Sequence, residues 1–278
     1  MQINHEAIAK EVTDALLEDI GSGDVTASLL PPDLMVRAKI FTREPMLMCG
    51  QPWVNQVFSR VNADVQVDWC VAEGAWLAEP RLLCYVTGNA RAILTAERTA
   101  LNFLQTLAGT ATQTYRYVQK LQGYATKLLD TRKTIPGLRL AQKYAVVCAG
   151  GVNHRFGLYD AYLIKENHIK ACGSIRAAIT NAKKAWQDLF IEVEVETLDE
   201  LREALACQPD RILLDNFSLD QLVQAVSMNQ PKYCALEASG GVCLDTIEGI
   251  AKTGVDYISV GAITKSVQAI DLSLLIEE

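Results

Sequence analysis

In the second half of the chain, six short apolar runs each end in a charged or small polar residue before a turn. They are KLLDTRK (127–133), DAYLIKENH (160–168), FIEVEVE (190–196), DRILLDN (210–216), YCALEASGG (233–241) and YISVGA (257–262). Each opens with the β-branched and aliphatic density of a buried strand, and most are followed by a helix-like segment. That alternation predicts a parallel β/α architecture. In such folds the chemistry collects where the strands end. Here those ends carry Arg132, Lys133, Lys165, His168, Glu194, Asp215, Ser239 and Gly261. So basic a cluster, faced by two acids, suits an anionic substrate and a divalent metal.

Helices between the runs are well punctuated. Thr197 with Glu200, and Ser218 with Gln221, fit the hydroxyl-to-acid or hydroxyl-to-amide capping box. Ser174 can cap a helix whose Ile175, Ala178, Ile179, Ala182 and Trp186 share one face. Six strands are fewer than the eight of a complete barrel, so an incomplete, open α/β barrel is expected over 109–278.

Residues 1–108 have a different rhythm. An opening helix with Ile8, Val12, Ala15 and Leu16 at helical spacing stops at Gly21-Ser22-Gly23. Extended stretches at 36–50, 63–77 and 81–88 follow, with a helical segment from Trp53 to about Val61. This pattern predicts an N-terminal α+β sandwich domain, an antiparallel sheet with helices packed on it. A long helical run, ILTAERTALNFLQTLAGTATQTYRYVQKL, links the two parts.

A formal net charge of -7 excludes nucleic acid and anionic membrane surfaces as partners of the whole protein, so an anionic ligand must be drawn by a local basic patch. No stretch approaches ~18 uninterrupted apolar residues, and no membrane span is expected. The N-terminus lacks the basic-then-apolar order of a signal peptide. The eight cysteines (49, 70, 84, 148, 172, 207, 234 and 243) contain no CxxC pair. Their scatter argues against a zinc cluster or a disulfide framework and for a reducing, cytoplasmic setting.

The densest candidate site is Asp130-Thr131-Arg132-Lys133-Thr134-Ile135-Pro136-Gly137. A strand ends, two cations follow and a Pro-Gly turn fixes the loop. Arginine offers a planar fork to a carboxylate or phosphate, and lysine a compact point charge. The bland alternative is a solvated loop. Asn153-His154-Arg155 and Lys165-Glu166-Asn167-His168 add cations at neighbouring turns. Together, Arg132, Lys133, His154, Arg155 and Lys165 can make a pocket for a ligand with more than one carboxylate. Strand alternation puts Glu192, Glu194 and Glu196 on one side. Glu194 with Asp215, at the next strand end, could hold Mg²⁺ through oxygen ligands or waters, while Glu192 and Glu196 stay unassigned. Ser239-Gly240-Gly241 and Gly261-Ala262 are small turns after the last two strands, where backbone N–H groups can cradle phosphate. Arg98 interrupts an apolar stripe with Leu94 and Leu101: it either snorkels or reaches a partner subunit's site.

These motifs together resemble the quinolinate phosphoribosyltransferase family. The likeness runs over nearly the whole chain. It includes EDIGSGDVT (18–26), ERTALN (97–102), DTRKTIPGLR, NHR, KENH, EVEVE, LLDN, EASGG and SVGA in the family's order. The resemblance implies phosphoribosyl transfer from 5-phosphoribosyl 1-pyrophosphate to quinolinate with decarboxylation, giving nicotinate mononucleotide, pyrophosphate and CO₂. It implies a homodimer, or a higher even oligomer, with Arg98 crossing the interface to bind quinolinate. Arg132, His154, Arg155 and Lys165 would bind the rest of that ligand, with Lys133 between it and the ribose phosphates and Thr131 among the substrate-binding residues. Glu194 and Asp215 would contact the ribose hydroxyls and Mg²⁺, and Ser239, Gly240, Gly241, Gly261 and Ala262 would hold the 5′-phosphate. Lys133, Lys165, Glu194 and Asp215 are the expected catalytic residues. After SVGA the family often reads T-H-S, where this chain has Thr264-Lys265-Ser266, which keeps the basic character.

Two other classes fit the same residues. One is a paralogue with another acceptor, such as nicotinate, or one attached to metal uptake. The other is a non-catalytic barrel that binds a phosphorylated metabolite. A single-carboxylate acceptor would not require so many cations, and a mere binder need not keep both acids.

Overall fold

A computed structural model describes residues 5–186 and 188–277. The chain order is α1 (His5–Ile20), β1 (Met35–Thr42), β2 (Met46–Leu47), α2 (Gln51–Val61), β3 (Gln66–Trp69), β4 (Trp76–Leu77), β5 (Leu82–Asn89) and α3 (Ala90–Lys120). It continues with β6 (Lys127–Leu129), α4 (Arg139–Cys148), β7 (Ala161–Ile164), α5 (Glu166–Cys172), α6 (Ile175–Ala185), β8 (Phe190–Val195), α7 (Leu198–Cys207) and β9 (Arg211–Asp215). Last come α8 (Leu219–Met228), β10 (Ala235–Ser239), α9 (Ile247–Lys252), β11 (Tyr257–Ser259), α10 (Ala262–Lys265) and β12 (Leu272–Ile276). The chain divides into two compact units. One takes the chain up to Tyr115, with Ile135–Gly150 and Ser266 onward; the other takes Arg116–Thr134 and Gly151–Lys265. The linear cut after residue 108 thus omits two later segments that pack with the first unit.

In the first unit, an antiparallel sheet runs in the order β12-β1-β5-β3. Ala38, Ile40, Leu83, Cys84 and Val86 are buried in it, while α1 contributes Ile8, Val12 and Leu16 and α2 contributes Trp53, Val54, Val57 and Phe58 to the same core. α1 ends where expected, and Gly21 takes φ +51 just beyond it. β12 was not expected from sequence. It pairs antiparallel with β1, from Ala38↔Ile276 to Thr42↔Leu272. Its approach depends on Gly109 in α3, where an added Cβ would stand 2.2 Å from the Gln268 carbonyl oxygen. Two residues on, Ile270 N–H donates to the Gln105 carbonyl at 3.2 Å.

In the second unit, all six expected strands form one sheet, ordered β6-β11-β10-β9-β8-β7 with every pairing parallel. β6 and β7 end that order without pairing to each other, so the described strands form an open barrel. Beside β6, where another barrel strand would lie, the backbone makes a single parallel bridge, Leu129↔Val152. Segment 149–153 is too short and too glycine-rich to extend the ladder. The helix caps form as expected. Thr197 Oγ1 accepts from Glu200 N–H at 3.2 Å while Glu200 Oε2 accepts from Thr197 N–H, and the Ser218–Gln221 pair repeats the arrangement. Ser174 Oγ accepts from Ala177 N–H at 3.1 Å. Each cap satisfies a helix N-terminal donor that would otherwise be orphaned, which fixes where the strand-to-helix loop turns.

Candidate active site

Parallel strands place their C-terminal residues on one edge, and that edge opens into a cavity of about 270 Å³. Thr131, Arg132, Lys133, His154, Arg155, Lys165, Glu194, Asp215 and Ser239 all line it. Leu163, Leu213, Glu237 and Ser259, which the sequence did not single out, complete the wall. His168 is not among the lining residues. Its Nδ1 accepts the Lys165 backbone N–H at 3.0 Å, so it organises the start of α5 and faces a separate, largely apolar cavity.

The loop after β6 is held by its own side chains. Thr131 Oγ1 accepts from Lys133 N–H at 3.1 Å, and Thr264 Oγ1 donates to the Lys133 carbonyl at 2.8 Å. Thr264 therefore couples α10 to the cationic loop, a role not visible in the sequence. Gly261 stands against the same loop: a Cβ there would come 3.0 Å from Lys133 Cδ and 3.5 Å from Thr131 Oγ1. Gly240 has φ +97, and a Cβ on it would lie 2.1 Å from Asn216 Oδ1, so only glycine fits. Gly240, Gly241, Gly261 and Ala262 do not line the cavity themselves; the glycines occupy the turns after β10 and β11, and Ala262 opens α10.

Asp130, fully buried, ties the second cationic segment to the first. It accepts from Asn153 Nδ2 at 2.6 Å and from His154 N–H at 2.8 Å. The Arg155 N–H donates to His154 Nδ1 at 2.7 Å, so the ring proton sits on Nε2. That Nε2 lies 2.9 Å from Glu192 Oε2 and 3.8 Å from Glu237 Oε2. Glu192 is thus not solvent-facing but buried behind the cavity-lining His154. Glu196, past the end of β8, is exposed.

Beneath the floor, Arg211 Nη1 donates to Glu237 Oε2 at 2.8 Å and lies 4.0 Å from Glu192 Oε2. Its guanidinium is held between Tyr257 and Phe190, 4.3 and 5.1 Å from their ring centroids. Burial pushes the Glu237 carboxyl up to about 8, with the Glu192 charge as the next cause; His154 and Arg211 offset only part of this. Glu192 is also raised, chiefly by burial. Two buried carboxylates this close cannot both ionise cheaply, so the pair holds a proton more tightly than a free carboxyl does. An acid in the middle of the apolar run YCALEAS was the one signal that could have flagged Glu237.

Arg155 shows what the cavity is electrostatically short of. Burial, then the neighbouring Arg132 charge, lowers its guanidinium below the usual arginine range. Arg155 Nη1 donates to the Ala161 carbonyl at 3.1 Å, while its buried Nε has no hydrogen-bond partner among the described residues. Two guanidinium groups that repel one another across a cavity are relieved by an anion placed between them. On the facing side, Lys165 Nζ pairs with Glu194 Oε2, and Asp215 Oδ2 accepts from Asn216 Nδ2 at 2.8 Å. Glu194 and Asp215 bring carboxylate oxygens to the same cavity from adjacent strands β8 and β9. That donor type fits a hard cation such as Mg²⁺. Arg98 lies exposed on α3, in the first unit.

Residues 110–275 match the family described as quinolinate phosphoribosyl transferase, C-terminal domain, and residues 24–108 match its N-terminal domain. A probable carboxylating nicotinate-nucleotide pyrophosphorylase of Bacillus subtilis (strain 168) is 40% identical over 273 residues, covering 98% of this chain and 94% of that protein. The carboxylating nicotinate-nucleotide pyrophosphorylase of Mycobacterium leprae (strain TN) is 41% identical over 275 residues, covering 97% of each. Among solved structures, the nicotinate-nucleotide pyrophosphorylase of Francisella tularensis superposes with a TM-score of 0.96 at 50% identity, over 99% of this chain and 98% of that one.

Proposed function

The chain belongs to the quinolinate phosphoribosyltransferase family, and from that premise we propose that the strand-end cavity of its second unit is the active site. The activity is transfer of phosphoribosyl from 5-phosphoribosyl 1-pyrophosphate to quinolinate with decarboxylation, a step of NAD biosynthesis. One observation carries the assignment: Arg132, Arg155, Lys133 and Lys165 share a cavity with Glu194 and Asp215.

Quinolinate has two carboxylates, and its co-substrate carries several phosphate charges. Bringing them together costs electrostatic energy that the cations offset. Arg132, Arg155 and Lys165, with Thr131 and the oriented His154 beside them, hold the diacid. Lys133 stands between it and the sugar phosphates. Ser239 and the turns Gly240-Gly241 and Gly261-Ala262 take the 5′-phosphate, where any side chain at Gly240 would collide with Asn216. Glu194 and Asp215 hold the ribose hydroxyls and Mg²⁺, which neutralises the departing pyrophosphate when bound.

As pyrophosphate leaves, positive charge develops at the anomeric carbon, and the Glu194 and Asp215 carboxylates stabilise it. The pyridine nitrogen attacks that carbon and becomes quaternary. The cationic ring then accepts the electron pair of the C2–carboxylate bond as CO₂ departs. The ring carbon needs a proton, and the Lys133 and Lys165 ammonium groups at the cavity wall can deliver it.

The exposed cation Arg98 completes the quinolinate pocket of a neighbouring subunit in a homodimer, while Leu101 beside it is buried in its own unit's core. All eight cysteines are free thiols, which supports a reducing, cytoplasmic setting. No helix among the described residues is long and apolar enough to cross a membrane. The test measures CO₂ released per phosphoribosyl pyrophosphate consumed, with quinolinate and nicotinate as rival acceptors. Equimolar CO₂ with quinolinate is expected; turnover with nicotinate alone overturns the reading.

A further inference from the structure

The scattered cysteines do not stay apart. In the first unit, Cys49 follows β2 at the entrance to α2, Glu73 sits in the turn before β4, and Cys148 closes α4. One ligand atom from each of the three residues lies within 4.8 Å of the other two. Cys49 is fully buried and Cys148 half-buried, so Cys148 is the member of the cluster nearest the surface.

The carboxylate is held by groups that are not themselves ligands. Glu73 Oε1 accepts from Gly50 N–H at 2.8 Å and from the Tyr144 hydroxyl at 2.9 Å, while Oε2 accepts from Gln51 N–H at 3.2 Å. These donors fix the direction of the carboxylate and leave capacity on Oε2. Outer-shell hydrogen bonding of this kind orients a ligating carboxylate in metal sites. The Cys148 thiol is steadied from the other side, 3.9 Å from the Met48 carbonyl. What converges on one point is therefore a pinned carboxylate and two thiols. The two N–H groups and the Tyr144 hydroxyl already satisfy and orient the carboxylate, and the thiols add two soft ligand atoms beside it, a mixed donor set suited to a thiophilic metal.

We propose that Cys49, Glu73 and Cys148 form a binding site for a thiophilic divalent cation of the Zn²⁺ class, separate from the strand-end cavity. With Zn–S of about 2.3 Å and Zn–O of about 2.0–2.2 Å, tetrahedral ligand atoms stand about 3.4–3.8 Å apart, a small inward rotation from the present spacing. Two thiolates and one carboxylate favour Zn²⁺ over Mg²⁺ or Ca²⁺, which take all-oxygen sets. A water entering beside Cys148 supplies the fourth position. Metal uptake exchanges two thiol protons for one ion. The ion would then cross-link the entrance of α2, the turn before β4 and the end of α4.

The test uses the full-length protein, freed of metal by chelation, and Co²⁺ as a spectroscopic probe. One tightly held Co²⁺ per chain is expected, with a thiolate-to-cobalt charge-transfer band that Zn²⁺ abolishes and Mg²⁺ leaves intact. Cys148→Ala, at the accessible edge, should remove the band and weaken Co²⁺ binding about 100-fold or more, with the far-ultraviolet dichroism of the wild type. Zn²⁺, but not Mg²⁺, should also protect Cys148 from alkylation followed by peptide mapping. The same band and stoichiometry in Cys148→Ala would place the metal on other thiols and overturn the proposal. So would the absence of a charge-transfer band in the wild type, or alkylation of Cys148 at an unchanged rate under saturating Zn²⁺.

Discussion

His154 Nε2 lies 2.9 Å from Glu192 Oε2, so the carboxylate that alternation sets on the same side as Glu194 is the acceptor that orients a cavity-lining imidazole. Behind this pair, Arg211 pairs with Glu237, which reaches the cavity wall. The cavity floor is thus held by electrostatics, and the consequences can be measured.

Glu237 makes stability fall with pH. Its carboxyl is pushed up to about 8 in the folded protein, from an ordinary value of 4.5. Below the ordinary value, the folded and unfolded chains are both protonated there and the contribution is fully present. As pH rises, the unfolded chain releases the proton first, so the contribution is progressively lost through about pH 8. Glu237→Gln should flatten the decline in unfolding free energy between about pH 5 and about pH 8, read from denaturant midpoints. Parallel slopes for the two proteins would remove Glu237 from the account.

Gly109 should resist the usual helix-stabilising exchange. Alanine is favoured over glycine by about 1 kcal/mol in a helix interior. At Gly109, though, the new methyl would stand 2.2 Å from the Gln268 carbonyl oxygen, a backbone atom that must move. Gly109→Ala is expected to destabilise by roughly 1–3 kcal/mol, as overpacking does, and to raise amide exchange in β12. A higher melting temperature in Gly109→Ala would mean that the approach of β12 is not constrained there.

A shared active site has a statistical signature. Arg98→Ala and Lys165→Ala subunits should each be inactive alone. After subunit exchange, half the dimers are mixed and each mixed dimer has one intact site, so about one quarter of wild-type activity is expected. Verified exchange without recovery would confine Arg98 to its own subunit.

The sequence made the parallel sheet legible because each strand is an apolar run with a chemically distinct end, and the helices between carry local caps. Arg132, Lys133, Lys165, Glu194 and Asp215 could be read because a strand's end is a local property. Residues whose role depends on distant partners could not. Leu272–Ile276 becomes a strand only through β1, far upstream. Arg211 and Glu237 sit at the start and the middle of different strands, and only parallel pairing of β9 with β10 brings them together. Cys49 and Cys148 show no motif spacing, because three segments of the first unit must fold before they meet.

The most direct test measures the binding of quinolinate and of phosphoribosyl pyrophosphate separately to the wild type and to Arg132→Ala. If the cations of the strand-end cavity hold the diacid, quinolinate should weaken by about 30-fold or more, the loss typical of breaking a buried charge pair. Phosphoribosyl pyrophosphate should change far less. Equal losses for the two ligands would contradict the assignment of that cavity's arginines to quinolinate.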